Sequence, residues 1–194
     1  MRRVGALVAV AVFGVSVAAC GADDDDGAAS SSTETIIAGD FNDADVEFAR
    51  SMIPHHRQAV EMAVIALDGP VKAGVEVRDL ASRIEQAQGP EIEQLTGWLD
   101  VWKQDTAEEP AGTGAMGEMG GMMTDEAMSS LSEMRGDSFD RRWMEMMIRH
   151  HRGAVRMAEA EVRDGLNPDA VELAGQIVAA QQAEIAEMRT FLRT

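Results

Sequence analysis

The chain has 194 residues, enough for one ordinary domain with extensions at its ends. Its 34 acidic against 17 basic residues give a net charge of −17 with no basic stripe, which excludes a generic nucleic-acid binder. A single cysteine, Cys20, excludes an intramolecular disulfide and a thiolate metal site.

In chain order, the first segment is "MRRVGALVAVAVFGVSVAAC" (1–20). Two arginines precede an apolar run over 4–19 that falls short of the ~20 residues a spanning helix needs, so it predicts a cleaved export signal. Its ending, "VAAC", resembles the bacterial lipobox, which would make Cys20 a lipidation site and membrane anchor on the outer face of the cytoplasmic membrane. Residues 21–40, "GADDDDGAASSSTETIIAGD", are acidic, small and Ser-rich, the composition of a disordered tether.

From there the chain contains itself twice. "DVEFARSMIPHHRQAVEMA" (45–63) aligns without gaps on "DRRWMEMMIRHHRGAVRMA" (140–158), and all four histidines fall in these two copies. After a turn, "LASRIEQAQGPEIEQLTGWL" (80–99) matches "LAGQIVAAQQAEIAEMRTFL" (173–192). The apolar spacing is i, i+3, i+4, i+7, so each copy predicts two helices joined by a Gly/Pro/Asp turn. Asp43 and Pro168 are helix-start signals.

Two such hairpins, one over 41–104 and the other within 124–194, predict an all-α four-helix bundle. A Met/Gly-rich linker (105–123) joins them, and a short extra helix over 124–134, capped by Thr124, precedes the second.

At about 100° per residue from Met52, His55 and His56 lie about 60° and 40° to either side, with Ala59 and Ala63 between them. Arg50, Arg57, Glu61 and Asp68 fall on the opposite face. The histidines therefore straddle the inward face, and each copy reads Met-x-x-His-His-x5-Met. Pro54, just before the pair, predicts a kink.

On the partner helices, Gln88 and Glu91, repeated as Gln181 and Glu184, sit on apolar stripes where a carboxylate needs a partner or a metal. These four, with Asp45 and Asp140, are candidates either to orient the histidines or to act as ligands.

Imidazole suits copper, zinc, iron and nickel, whereas thioether is soft and selects Cu(I). Methionine at the position where di-iron bundles carry glutamate moves the expectation toward copper, Cu(I) before Cu(II), with zinc or iron behind. The predicted metal residues are Met52, His55, His56, Met62, Met147, His150, His151 and Met157. Met116, Met119, Met122 and Met123, among linker glycines that cannot bury them, form a second candidate copper site.

The doubled "MIPHHRQAVEMA"/"MIRHHRGAVRMA" motif, with "QGPEI"/"QQAEI" and "GDSFD", resembles the bacterial domain-of-unknown-function 305 family from about Asp40 to Leu192. The resemblance implies a ferritin-like helical bundle exported from the cell, some of whose members bind copper. It implies the same eight histidine and methionine positions.

The expected function is an extracytoplasmic copper-binding lipoprotein that sequesters or delivers the ion, with metal ions, the membrane and a copper-handling protein as partners. No catalytic residue stands out, and enzymatic activity is left open. Two alternatives remain: a His/carboxylate metalloenzyme using iron or manganese, and a metal-free interaction or pH-responsive module.

Overall fold

A computed structural model of the chain describes residues 39–106 and 120–193. The export signal with Cys20, most of the tether, and Met116 and Met119 lie outside the described residues.

The described chain is all-helical, with five helices: α1 (Asp43–Asp68), α2 (Val75–Val101), α3 (Asp125–Glu133), α4 (Gly136–Asp164) and α5 (Pro168–Phe191). α1/α2 and α4/α5 are the two expected hairpins, and α3 is the expected short helix. None of these helices is long and apolar enough to cross a membrane.

Local chemistry accounts for the helix ends. Asn42 caps α1 by accepting from the Ala44 and Asp45 amides, while Asp45 reaches back to the Asn42 amide and completes a capping box. Asn167 caps α5 through its side chain in the same way, with Pro168 at the first turn. Thr124 caps α3 by accepting from the Ala127 amide. α1 runs unbroken through Pro54, and α2 through Pro90, so the proline before the first histidine pair does not end its helix.

The hairpins pack through α1 and α4, which cross antiparallel. The start of α1 meets the end of α4, where Asn42 Nδ2 donates to the Asp164 carbonyl at 2.9 Å. The start of α4 meets the far half of α1, where buried Trp143 Nε1 donates to the Met62 carbonyl at 2.9 Å.

Asp45 and Asp140 use this crossing. Asp45, fully buried, accepts from the Leu166 and Asn167 amides at 3.2 and 2.9 Å, pinning the α4–α5 turn. Asp140 accepts the Gly74 amide at 3.0 Å, pinning the α1–α2 turn. Each aspartate thus fastens the turn of the opposite hairpin. The structure places both at the ends of the bundle and does not bring them to the histidines; ten residues separate Asp45 from His55, about 15 Å along a helix. Their matched positions in the two copies reflect this shared fastening role.

The second turn holds a carboxyl that the first lacks. Glu161, buried at 1% exposure, stands where the other copy has Ala66. As a carboxylate it would have no donor. Burial, then the neighbouring Asp45 carboxyl and the negative charge of Asp164, push its pKa up to about 8 from a normal 4.5. The protonated acid therefore belongs to the folded state. Its stabilisation is complete below the unfolded pKa near 4.5 and is lost as pH rises through about 8.

Glu161→Gln keeps a donor toward Asp45 and cannot ionise. Its melting temperature, followed from pH 5 to 9, is expected to fall less with rising pH than that of the wild type. Parallel profiles for the two proteins would overturn the assignment.

Candidate metal centre

The four histidines meet where α1 crosses α4, and none is more than 1% exposed. His55 and His150, one from each copy, lie with ring centroids 3.7 Å apart and planes at 34°. His56 and His151 flank them, at 6.5 Å from His55 and 6.4 Å from His150 respectively. The layer is thus a central histidine pair with one further histidine on each side.

Each flanking ring is held by its own hairpin partner. His56 Nε2 lies 2.8 Å from Glu91 Oε2, and His151 Nε2 lies 2.7 Å from Glu184 Oε2. The second contact has the better hydrogen-bond alignment. Both glutamates are only partly exposed, at 21% and 15% of their side chains. A carboxylate only accepts, so His151 donates from Nε2 to Glu184, while His56 Nε2 faces Glu91 at ion-pair distance. His55 reaches the same tautomer through a backbone group, since its Nε2 donates to the Gly120 carbonyl at 2.8 Å.

The remaining ring nitrogens have nothing to bond. Nδ1 of His55 and His151 and both nitrogens of His56 and His150 are buried without a hydrogen-bond partner. Burial, followed by the neighbouring His56, lowers His55 to about 3, although the Gly120 bond works in the opposite direction. Burial, followed by His55, holds His150 well below the ordinary imidazole range. Both central rings are therefore neutral near pH 7 and keep lone pairs for a metal.

The methionines lie to either side of this layer. Met52, Met62 and Met147 are fully buried, and Met157 is partly so. Met52 and Met157 belong to one apolar cluster, Met62 and Met147 to the other. Because α1 and α4 run antiparallel, the leading methionine of one copy shares its cluster with the trailing methionine of the other. Gln88 and Gln181 are also buried, at 3% each, and their Oε1 atoms have no donor.

The structure does not place Met122 and Met123 in an open linker as expected. Met123 is buried at 5%, its amide donates to Gln58 Oε1 at 2.7 Å, and its carbonyl accepts from Gln58 Nε2 at 2.9 Å. Arg149 Nη2 also donates to the Met123 sulfur at 3.0 Å. The Met123 thioether is thus packed into the bundle. Gly120 and Gln58 are contacts that the periodicity of the repeats offers no reason to single out. The one signal for them is the mismatch of Gln58 with Gly153 at equivalent positions of the repeats.

Neutral imidazoles with bare nitrogens, and thioethers without charge, form a donor set that fits a soft or borderline cation. Among the described residues, no group of three His, Cys, Asp or Glu side chains is placed to hold one ion as it stands. Gathering nitrogens on one ion requires the rings to turn about their side-chain bonds.

A helical bundle with a buried histidine layer duplicated by an internal repeat is the class of protein defined here. The sequence profile of the family described as "Domain of unknown function (DUF305)" matches residues 45–192, and the chain belongs to that family. A Streptomyces coelicolor DUF305 protein described as a putative secreted protein is 37% identical, with 77% of this chain and 91% of that one covered and a TM-score of 0.69. A DUF305 fragment from Deinococcus radiodurans is 30% identical over 79% and 98% of the two chains, with a TM-score of 0.71. CopM in its Cu(II)-bound form is 29% identical over 77% and 95%, with a TM-score of 0.65. Its Cu(I)-bound form is 30% identical over the same shares, with a TM-score of 0.63. No curated protein matches the chain.

Nitrogen-15 spectra of the metal-free protein near pH 7 test the tautomers. His55 and His151 are expected to show a protonated Nε2. An unprotonated Nε2 on His151 would rule out the orientation by Glu184.

Proposed function

We propose that this protein binds copper outside the cytoplasm, Cu(I) in preference to Cu(II), and holds or hands on the ion without transforming a substrate. The observation that carries this reading is the buried layer of histidines with unpartnered nitrogens, its central pair neutral, lying between methionine-bearing clusters. Buried polar atoms left without partners are costly, about 1–3 kcal/mol each, and a ligand that engages them recovers that loss.

His55, His56, His150 and His151 would supply the nitrogens, and Met52, Met62, Met147 and Met157 the sulfurs. The softness of thioether favours Cu(I), with zinc or iron less well served. CopM, which shares this fold, is known in Cu(I)-, Cu(II)- and silver-bound forms, which supports the assignment. Glu91 and Glu184 would hold two of the histidines in the metal-binding tautomer, and Gln88 and Gln181 stand on the same helix faces. That use of the glutamates leaves less support for an iron or manganese redox centre built on carboxylates. An export signal with lipidation at Cys20 would tether the domain to the outer face of the cytoplasmic membrane, where a copper-handling protein could exchange the ion with it.

Anaerobic titration of Cu(I) against a competing chelator tests this. Replacing His55 and His150 with Asn is expected to weaken binding by at least about 100-fold. Glu184→Gln, which perturbs only the support of one ligand, is expected to cost about 10–100-fold. The reading fails if the double histidine variant binds Cu(I) as tightly as the wild type.

A further inference from the structure

Residues 120–123 bridge α1 and α4 and lie against His55 of the central histidine pair. Both helices are shaped to receive them. Gln58 of α1 grips the Met123 backbone at both its amide and its carbonyl, at 2.7 and 2.9 Å. Arg149 of α4 donates to the Met122 carbonyl at 3.2 Å and to the Met123 sulfur at 3.0 Å. Beside these anchors the Gly120 carbonyl reaches His55 Nε2 at 2.8 Å.

Two glycines make this approach possible. Gly121 adopts a φ of +78°, and a Cβ there would strike the Arg149 carbonyl. Gly153 lies within α4, where glycine is a poor helix former. A Cβ at Gly153 would land on the Gly120 carbonyl and come within 2.9 Å of His55 Nε2. Gly153 aligns with Gln58 in the internal repeat. The two copies thus diverge where one must grip the crossing segment and the other must make room for it.

We propose that residues 120–123 are a strap over the histidine layer, that Gly120 positions His55 through its carbonyl, and that release of the strap sets the rate at which metal enters and leaves. The proposal rests on the copper reading of the same site. While fastened, the strap occupies His55 Nε2 and covers the ring on that side. When Gln58 lets go of Met123, the His55 ring can turn and an ion can reach the pair. The strap therefore acts on rates, because it can close again over an empty or a loaded layer.

The test uses the full chain with Gln58→Ala and Gly153→Ala, and with Gly175→Ala as a control, because a Cβ at Gly175 meets nothing within 4 Å. Hydrogen exchange of the Met123 amide in the metal-free protein is expected to accelerate about tenfold or more in Gln58→Ala and Gly153→Ala, with α5 amides and Gly175→Ala unaffected. The His55 Nε2 proton resonance is expected to shift in Gly153→Ala. Stopped-flow transfer of Cu(I) to and from a chelator is expected to quicken in both variants about tenfold, with the equilibrium affinity of Gln58→Ala within about threefold of the wild type.

Unchanged Met123 exchange in both variants overturns the fastening. Faster amide exchange with unchanged transfer rates overturns the gating alone. Absence of Cu(I) binding by the wild type overturns the copper reading and the gating with it, whereas the metal-free exchange data still decide whether the strap exists.

Discussion

Everything in this bundle is arranged around one costly act, the removal of four imidazoles from water at the crossing of two helices. A histidine side chain with a bare buried nitrogen loses hydrogen bonds to solvent and receives none in return. Here the loss is accepted at several nitrogens in one layer, and the surroundings limit rather than cancel it. Glu184 and the Gly120 carbonyl satisfy one nitrogen each, on His151 and His55, and Glu91 lies at ion-pair distance from His56. The central rings are kept neutral, since a proton on either would add an unsolvated charge beside its neighbour. Apolar clusters above and below supply the burial that holds the layer in place, with large fully buried residues such as Trp143, Phe139 and Leu99.

The internal repeat explains how such a layer arises. One hairpin presents two histidines and a glutamate; a second copy, packed antiparallel, doubles the set and brings His55 onto His150. The same operation sends Asp45 to the opposite turn and Asp140 to its equivalent, so the bundle is fastened at both ends by one sequence position used twice. Departures from symmetry are local and have physical reasons. Glu161 in place of Ala66 adds a second buried carboxyl beside Asp45 to one turn only. Gly153 in place of Gln58 lets a connecting segment cross the helices on one side of the layer.

Much of the site is legible in the order of residues. The burial of Met52, His55, His56, Ala59 and Ala63 follows from helical geometry alone, as does the outward face carrying Arg57 and Glu61. The glutamates on apolar stripes stand out as anomalies, and Glu91 and Glu184 indeed lie against histidines. Asp45 and Asp140 look equally anomalous on the same criterion, because periodicity reports the face of a helix but not the level along its neighbour. Met123 escapes for a related reason. Composition marks a glycine-rich segment as open, but two side chains, Gln58 and Arg149, are enough to hold its end in the core.

The amino-acid sequence by itself determined the helical class, the duplication, the inward face of each helix and the kinds of donor atom gathered there. All of these depend on spacing within one helix or on comparison of one copy with the other. Tertiary structure alone decided that His55 packs against His150, that the methionines of different copies share a cluster, that the aspartates serve the turns, and that Gly120 crosses onto His55. Those outcomes depend on how two helices far apart in the chain slide and cross. That is set by the summed packing of their whole faces, and no local pattern of residues records it.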